Sequence, residues 1–193
     1  MKFLNRQLAT LPWTHLAWGK PLIPKHAFTL WIAIKQKLST LDRKCTSHID
    51  SVTCVLCNNA LESHDHLFYM CPFVKPLWTF IQIPCGFYIQ PTNWASLISW
   101  AAYHWRGEGS SHSSSFSRLA LASLVYNVWA EHNRRIFTGR KLTQNSLLHL
   151  TLDSVRAKLL STSIKDSTTR RQIVEEWNLP SSVLRQPAKP PDI

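Results

Sequence analysis

The chain of 193 residues is long enough for one domain, or one domain with an appendage. Its 45% of hydrophobic residues suffice for a packed core, which excludes a disordered protein. Lys and Arg number 22 against 11 acidic residues, and this net charge of +11 favours polyanionic partners, because neutralising phosphates releases counterions. The excess lies at the ends: residues 1–50 carry +6, residues 51–110 carry −1 and residues 111–193 carry +6.

The first half of the chain predicts an irregular lead-in followed by three helices. Residues 1–23 show no clean hydrophobic period, whereas residues 24–39, opened by Pro24, have apolar residues at helical spacing and lysines in the gaps. The positions predicted to face inward are Phe28, Trp31, Ile32 and Leu38. Pro72 opens a second predicted helix, and residues 94–105 form a third after a Pro- and Gly-containing connector.

The second half predicts a flexible loop at 106–115, from its Gly and Ser content, and then a helical region over 116–177. A long helix over 116–137 ends before Gly139, where a left-handed cap is easy, and Thr143 caps the next helix, which runs to about residue 165. A short helix is expected near 168–177, and prolines predict a disordered tail over 178–193. We place the domain boundary at the loop, between domains over 24–105 and 116–177.

A cluster of cysteine and histidine lies between the first two helices. Its members are Cys54, Cys57, His66 and Cys71, with spacings of two, eight and four residues. Zinc binds four tetrahedral N or S ligands, and a Cys-x-x-Cys pair can present two sulfurs from one tight turn. Four protein ligands leave no open position for water, so the pattern predicts one structural Zn²⁺ in a zinc-knuckle-like module of a mainly α protein. The alternative is four unrelated buried or idle residues.

Two further details of the cysteine and histidine content stay open at this point. His64 competes with His66 as the fourth ligand, and we favour His66 because its spacing to Cys71 matches known closing pairs, which leaves His64 as an exposed neighbour. Five cysteines are an odd number, so Cys45 and Cys85 are expected to be buried thiols. This use of cysteine fits a reducing compartment.

A longer run of motifs surrounds the cluster. It comprises Trp13 and Trp18, Ile23-Pro24-Lys25 before Phe28 and Trp31, Leu38 to Arg43, Cys54-x-x-Cys57, Glu62-Ser63-x-x-His66-Leu67-Phe68, and Cys71-Pro72 before Trp78. Over residues 13 to 80 this order resembles the zinc-binding domain found downstream of reverse transcriptase in plant LINE-type (non-LTR) retrotransposons. The resemblance implies zinc binding by the four residues above and a role in handling the element's RNA or target DNA.

A second segment adds to the resemblance. Residues 129–137 resemble a helix that often follows that domain, whose usual pattern is Trp-x-x-Arg-Asn with a later Phe. Here His132 stands in place of the Arg, and a histidine is mostly neutral at pH 7. Polymerase activity is not expected, because a polymerase needs a close acidic pair for two metal ions and the aspartates here are scattered.

Two basic patches are candidates for contacting nucleic acid. They comprise Lys35, Lys37, Arg43 and Lys44 beside the zinc cluster, and Arg134, Arg135, Arg140 and Lys141 at a helix end, where cations also suit the helix dipole. Phe68 and Tyr69 could stack on bases, although core packing is the simpler reading. No enzyme, small-molecule substrate or membrane span is expected, and the N-terminus lacks a secretory signal, which predicts an intracellular protein in nucleus or cytoplasm.

Two functions follow from these observations. The first is a non-catalytic zinc module that binds RNA or single-stranded DNA. The second is a zinc-stapled scaffold that binds protein, or a gene remnant with no retained activity.

Overall fold

A computed structural model describes residues 13–19, 21–44, 52–83, 85, 88–105, 112–162, 164–165, 171, 174–175, 177–180 and 184–185. The protein is mainly helical over these residues, which confirms the predicted fold class. The helices are α1 (Thr14–Ala17), α2 (Pro24–Ile34), α3 (Leu41–Lys44), α4 (Lys75–Gln82), α5 (Trp94–His104), α6 (His112–Thr138) and α7 (Gln144–Leu160). A π-helix, His66–Met70, precedes α4, and two short strands, β1 (Ile164–Lys165) and β2 (Leu184–Arg185), pair in parallel.

Helix α6 is the centre of the fold. Seven consecutive residues, 119–125, are buried, so α6 contacts protein on all sides along this stretch. It packs against α2 on one side and α7 on the other. Buried residues before and after 106–115, from Leu16 to Leu179, belong to one hydrophobic core. The proposed boundary at 106–115 therefore separates segments of the chain that share this core.

Helix α2 differs from its prediction in length and in the face it buries. It ends at Ile34, and Gln36 adopts a left-handed φ of 51°, which stops the helix five residues before the predicted end. Its core face consists of His26, Ala27, Thr29, Leu30 and Ala33. Phe28, predicted to point inward, is 53% exposed, because the smaller residues allow α2 to approach α6 closely.

Several other helices begin or end at residues that differ from the prediction. The predicted lead-in contains α1, and α4 begins at Lys75 because residues 72–74 form a turn whose hydrogen bonds end on the Cys71 carbonyl. Helix α6 begins at His112, inside the predicted loop, since burial of Ser114 and Phe116 outweighs the low helix propensity of the serines. Helix α7 ends at Leu160, earlier than predicted.

Both predicted caps in this region are confirmed. Gly139 has a φ of +66° after the end of α6, and the Thr143 side chain accepts a hydrogen bond from the Ser146 amide at the start of α7. Of the predicted helix near 168–177, residues 171, 174 and 175 are helical. Residues 184–185 of the predicted tail form β2, while most of that tail, residues 106–111 of the predicted loop and residues 1–12 of the lead-in lie outside the described residues.

Candidate metal centre

The first half of the centre is a tight turn that carries Cys54 and Cys57. An antiparallel bridge between Thr53 and Leu61 closes its base, and the Cys54 amide donates to the Ala60 carbonyl at 2.9 Å. At the tip, the Asn58 amide donates to the Cys54 carbonyl at 2.8 Å, and Asn58 adopts a left-handed φ of 53°. Asn tolerates this conformation better than most residues with a Cβ. The turn that Asn58 closes brings the sulfurs of Cys54 and Cys57 to one side.

The second half of the centre is the π-helix His66–Met70. In an α-helix of 3.6 residues per turn, residues five apart point about 140° away from each other. Here the Cys71 amide donates to the His66 carbonyl at 2.7 Å, five residues back, which widens the turn. This wider turn brings the side chains of His66 and Cys71 to the same side and explains how a spacing of four intervening residues can complete a metal site.

The four predicted ligand atoms converge. The three sulfurs and the ring nitrogen lie within 4.8 Å of one another, with Cys54 Sγ at 3.9 Å from Cys71 Sγ and Cys57 Sγ at 3.3 Å from His66 Nε2. Tetrahedral zinc with bonds of about 2.3 Å to sulfur places ligand sulfurs about 3.8 Å apart, so the donor set and its spacing fit Zn²⁺. Cys54, Cys57, His66 and Cys71 thus form one candidate zinc site, and bound zinc would supply a structural cross-link between them.

The electrostatics of the paired thiols also favour a cation. The hydrogen bond with Cys71 lowers the pKa of Cys54 to about 5, and the same hydrogen bond together with burial raises the pKa of Cys71. Two buried sulfurs at this distance cannot both carry negative charge without a compensating cation. A divalent metal ion would replace the shared proton and stabilise both thiolates.

His64 is not part of the four-residue cluster. We expected an exposed neighbour of the site, but the structure buries it. Its ring is only 5% exposed and packs against Phe68 and Trp94, with centroid distances of 4.8 and 5.5 Å. Burial lowers the pKa of His64 to about 4. His64 is therefore a neutral core residue. Cys85 is buried, as expected, and Cys45 lies outside the described residues.

Arg135 of α6 fastens the cysteine turn to the rest of the protein. Its guanidinium donates to the carbonyls of Val55 and Leu56, at 3.0 and 2.8 Å, and these two residues separate the ligands Cys54 and Cys57. It also pairs with Glu131 at 2.7 Å, donates to the Leu142 carbonyl and lies over the Phe73 ring. Only 6% of the side chain is exposed, so Arg135 stabilises the interior and is unavailable to the predicted surface patch.

A second buried contact joins the zinc segment to α6. Glu62 accepts hydrogen bonds from the Leu41 amide at 2.7 Å and from His132 Nε2 at 2.8 Å, and neither its side chain nor that of His132 is exposed. His132 stacks on Trp129, with ring centroids 4.8 Å apart. The position where the resemblance expects Arg therefore holds a histidine that contacts Glu62, and sequence reasoning missed this pairing although both residues lie in quoted motifs.

The remaining residues of the predicted basic patches lie at the surface. Arg134 is 34% exposed and pairs with Glu131 at 3.0 Å. The other five with described side chains are exposed: Lys35, Lys37, Arg43, Arg140 and Lys141. The Lys44 side chain lies outside the described part of the structure. Phe68 and Tyr69 are buried, so they pack in the core and cannot stack on bases.

Residues 2–78 match the family described as zinc-binding in reverse transcriptase. Over this segment, which is less than half of the chain, the protein is similar to that family. All four ligands lie within the matched residues, and the match is to a zinc-binding accessory domain with no catalytic reverse transcriptase domain found. No curated protein and no solved structure matches the chain.

The matched segment is held by residues that lie outside it. Arg135 and His132, on α6, lie outside residues 2–78, yet they hold the cysteine turn and Glu62. None of the described helices combines the length and the hydropathy that crossing a membrane requires.

Proposed function

We propose that this chain is a non-catalytic, retrotransposon-derived module of plant LINE type that binds RNA or single-stranded DNA. The observation that carries the proposal is a set of exposed, unneutralised cations. Over the described residues, none of the five exposed side chains Lys35, Lys37, Arg43, Arg140 and Lys141 forms an ion pair. Such cations attract a phosphate backbone because binding releases its condensed counterions.

The distribution of charge supports the same partner. The first 41 residues contain six Lys or Arg and no Asp or Glu. This segment is therefore positively charged and attracts polyanions. Association with nucleic acid in general also agrees with the similarity of residues 2–78 to the family described as zinc-binding in reverse transcriptase. The choice of RNA or single-stranded DNA rests on the resemblance of the motifs.

The closed ligand set supports a non-catalytic role. A catalytic zinc site keeps one coordination position open for water or substrate, whereas Cys54, Cys57, His66 and Cys71 supply four ligand atoms. The buried Glu62 and Glu131 are engaged by His132 and by the two arginines of α6. These carboxylates therefore have structural partners, and neither faces an open site.

Titration of labelled single-stranded RNA and DNA at 50 and 200 mM salt tests the proposal. Each phosphate contact contributes about 0.7 to the logarithmic salt slope, so five contacts predict roughly a hundredfold loss of affinity over this range. Replacing Lys35 and Lys37 with Gln should reduce the slope by about 1.4. Lys75→Gln, an exposed lysine outside both patches, is the matched control. Absence of binding at low salt would refute the proposal.

A second candidate is the zinc-stapled scaffold. Phe80, Ile83 and Tyr88, on α4 and just after it, are 53%, 71% and 74% exposed, and large exposed apolar side chains are typical of surfaces that contact another protein. This candidate predicts a protein partner and no affinity for oligonucleotides at any salt concentration.

A further inference from the structure

Three large aromatic side chains lie together on the outer surface of α2 and at the end of α1. Trp18 is 51% exposed and Phe28 is 53% exposed, and both contact Trp31, with ring centroids 6.2 and 5.7 Å from it. We call Trp18, Phe28 and Trp31 the aromatic face. Aromatic side chains of this size are normally used to fill a core, so their exposure as a group requires a reason.

The core packing of α2 does not supply that reason. The residues of α2 that pack inward are smaller, and the face they form is already covered by α6. Phe28 and Trp31 lie three positions apart, so they are neighbours on one side of the helix. Lys35 continues this row, four positions after Trp31, and its ammonium lies 4.9 Å from the ring centroid of Trp13. Phe28 and Trp31 are thus followed on the same side by one cation, Lys35.

The charged residues nearest the aromatic face along the chain are lysines. Lys35 and Lys37 are exposed at the end of α2, Lys25 is exposed at its start, and the first acidic residue of the chain is Asp42. Bases present a π-face that stacks on aromatic rings, and the phosphates between them pair with cations. Neighbouring rings and lysines therefore complement a single strand, whose bases and phosphates alternate along its length.

We infer that the aromatic face is a stacking surface for unpaired bases, with Lys35 and Lys37 contacting the adjacent phosphates. The inference rests on the proposed function and extends it, because it assigns base contact to Trp18, Phe28 and Trp31. The ligand is a single-stranded nucleic acid without defined sequence, since every base can stack. A duplex, whose bases already stack on one another, should bind this face less well.

The test compares the full chain with a Trp18→Ala/Phe28→Ala double variant and with the matched control Phe80→Ala, whose ring is also 53% exposed but lies on α4. Each protein is titrated at low salt with an oligothymidylate, with an abasic deoxyribose-phosphate strand of the same length and with anionic phosphatidylserine vesicles. Zinc content and thermal melting show that each variant is folded. Trp18→Tyr/Phe28→Tyr, which retains a ring at both positions, serves as the rescue.

We expect the double variant to bind the oligothymidylate about tenfold to a hundredfold more weakly, with its affinity for the abasic strand unchanged. The Phe80→Ala protein should bind both strands as the unmodified chain does, and the tyrosine variant should recover most of the affinity.

Three results would overturn the inference: an equal loss on both strands, a loss no larger than that of Phe80→Ala, or an effect seen only on anionic phosphatidylserine vesicles. The last result would assign the face to a membrane surface. If the unmodified chain binds no oligonucleotide, the proposed function fails; if it binds and the double variant binds equally well, only the stacking surface is refuted.

Discussion

Replacing Arg135 with Met should destabilise the protein and loosen the metal site together. The methionine retains most of the stem that lies against Phe73 but removes the guanidinium, which donates to the carbonyls of Val55 and Leu56 and pairs with Glu131. Glu131 is fully buried, so the substitution removes the shorter of its two charged contacts. The turn that carries two ligands also loses its link to α6.

The magnitude follows from this burial. Removing one partner of a buried ion pair costs about 3–5 kcal/mol, because the other charge is left poorly compensated. The whole free energy of unfolding of a domain is typically about 5–15 kcal/mol, so a large share of the stability depends on Arg135. Groups that orient the ligands of a metal typically change its affinity by about 10–100-fold, and we expect at least tenfold here.

Two measurements check this prediction. Urea unfolding with saturating zinc gives the loss of stability, and competition with a chelator gives the zinc affinity. Arg134→Met is the matched control, because Arg134 pairs with the same Glu131 but is 34% exposed, and such pairs contribute about 1 kcal/mol or less. Arg135→Lys should fall between the two, since an ammonium lacks the planar fork that reaches several acceptors.

The comparison between the two arginines decides the outcome. If Arg135→Met is no more destabilising than Arg134→Met, the buried contacts of Arg135 contribute no more to stability than the exposed ion pair of Arg134. If stability falls but zinc affinity does not, Arg135 holds α6 in place without supporting the cysteine turn.

Three other perturbations have definite expected results. Replacing Cys54 or Cys71 with Ser should abolish zinc binding and cooperative melting. Cys85 is a buried thiol outside the cluster, so Cys85→Ser should retain one zinc per chain by metal analysis. Loss of zinc in all three variants would contradict the assignment. Burial, with a smaller effect from Lys25, lowers the pKa of His26 from 6.5 to about 4, so the unfolded chain binds a proton first as the pH falls and stability is lost between pH 6.5 and 4. His26→Gln should therefore lose about 2 kcal/mol less than the unmodified chain between pH 7 and 5 in urea unfolding, and parallel curves would refute this. Gly139→Ala should cost about 1 kcal/mol in the same assay, because its φ of +66° disfavours a Cβ, and Gly139→Asn should cost less.

The candidate metal ligands could be predicted from local sequence, but their surroundings could not. The spacing of Cys54, Cys57, His66 and Cys71 identified the cluster, since a turn and one widened helical turn are short-range structures. The choice against His64 agrees with the structure, although its burial against Phe68 was not foreseen because Trp94, the other wall, is distant in sequence. The hydrogen bond from Arg135 to the Val55 carbonyl was not predicted for the same reason, because the two residues are 80 positions apart.

The sequence by itself determined the helical character of the chain, its candidate zinc ligands, its charge and two of its helix caps, because these depend on composition or on spacings within short segments of the chain. The tertiary structure alone decided which face of α2 is buried, which arginine lies inside and which aromatic rings are exposed. The physical reason is that a hydrophobic period predicts only that a helix has an apolar side. The close approach of α6 selected the small residues of α2 for the core and left Phe28 at the surface.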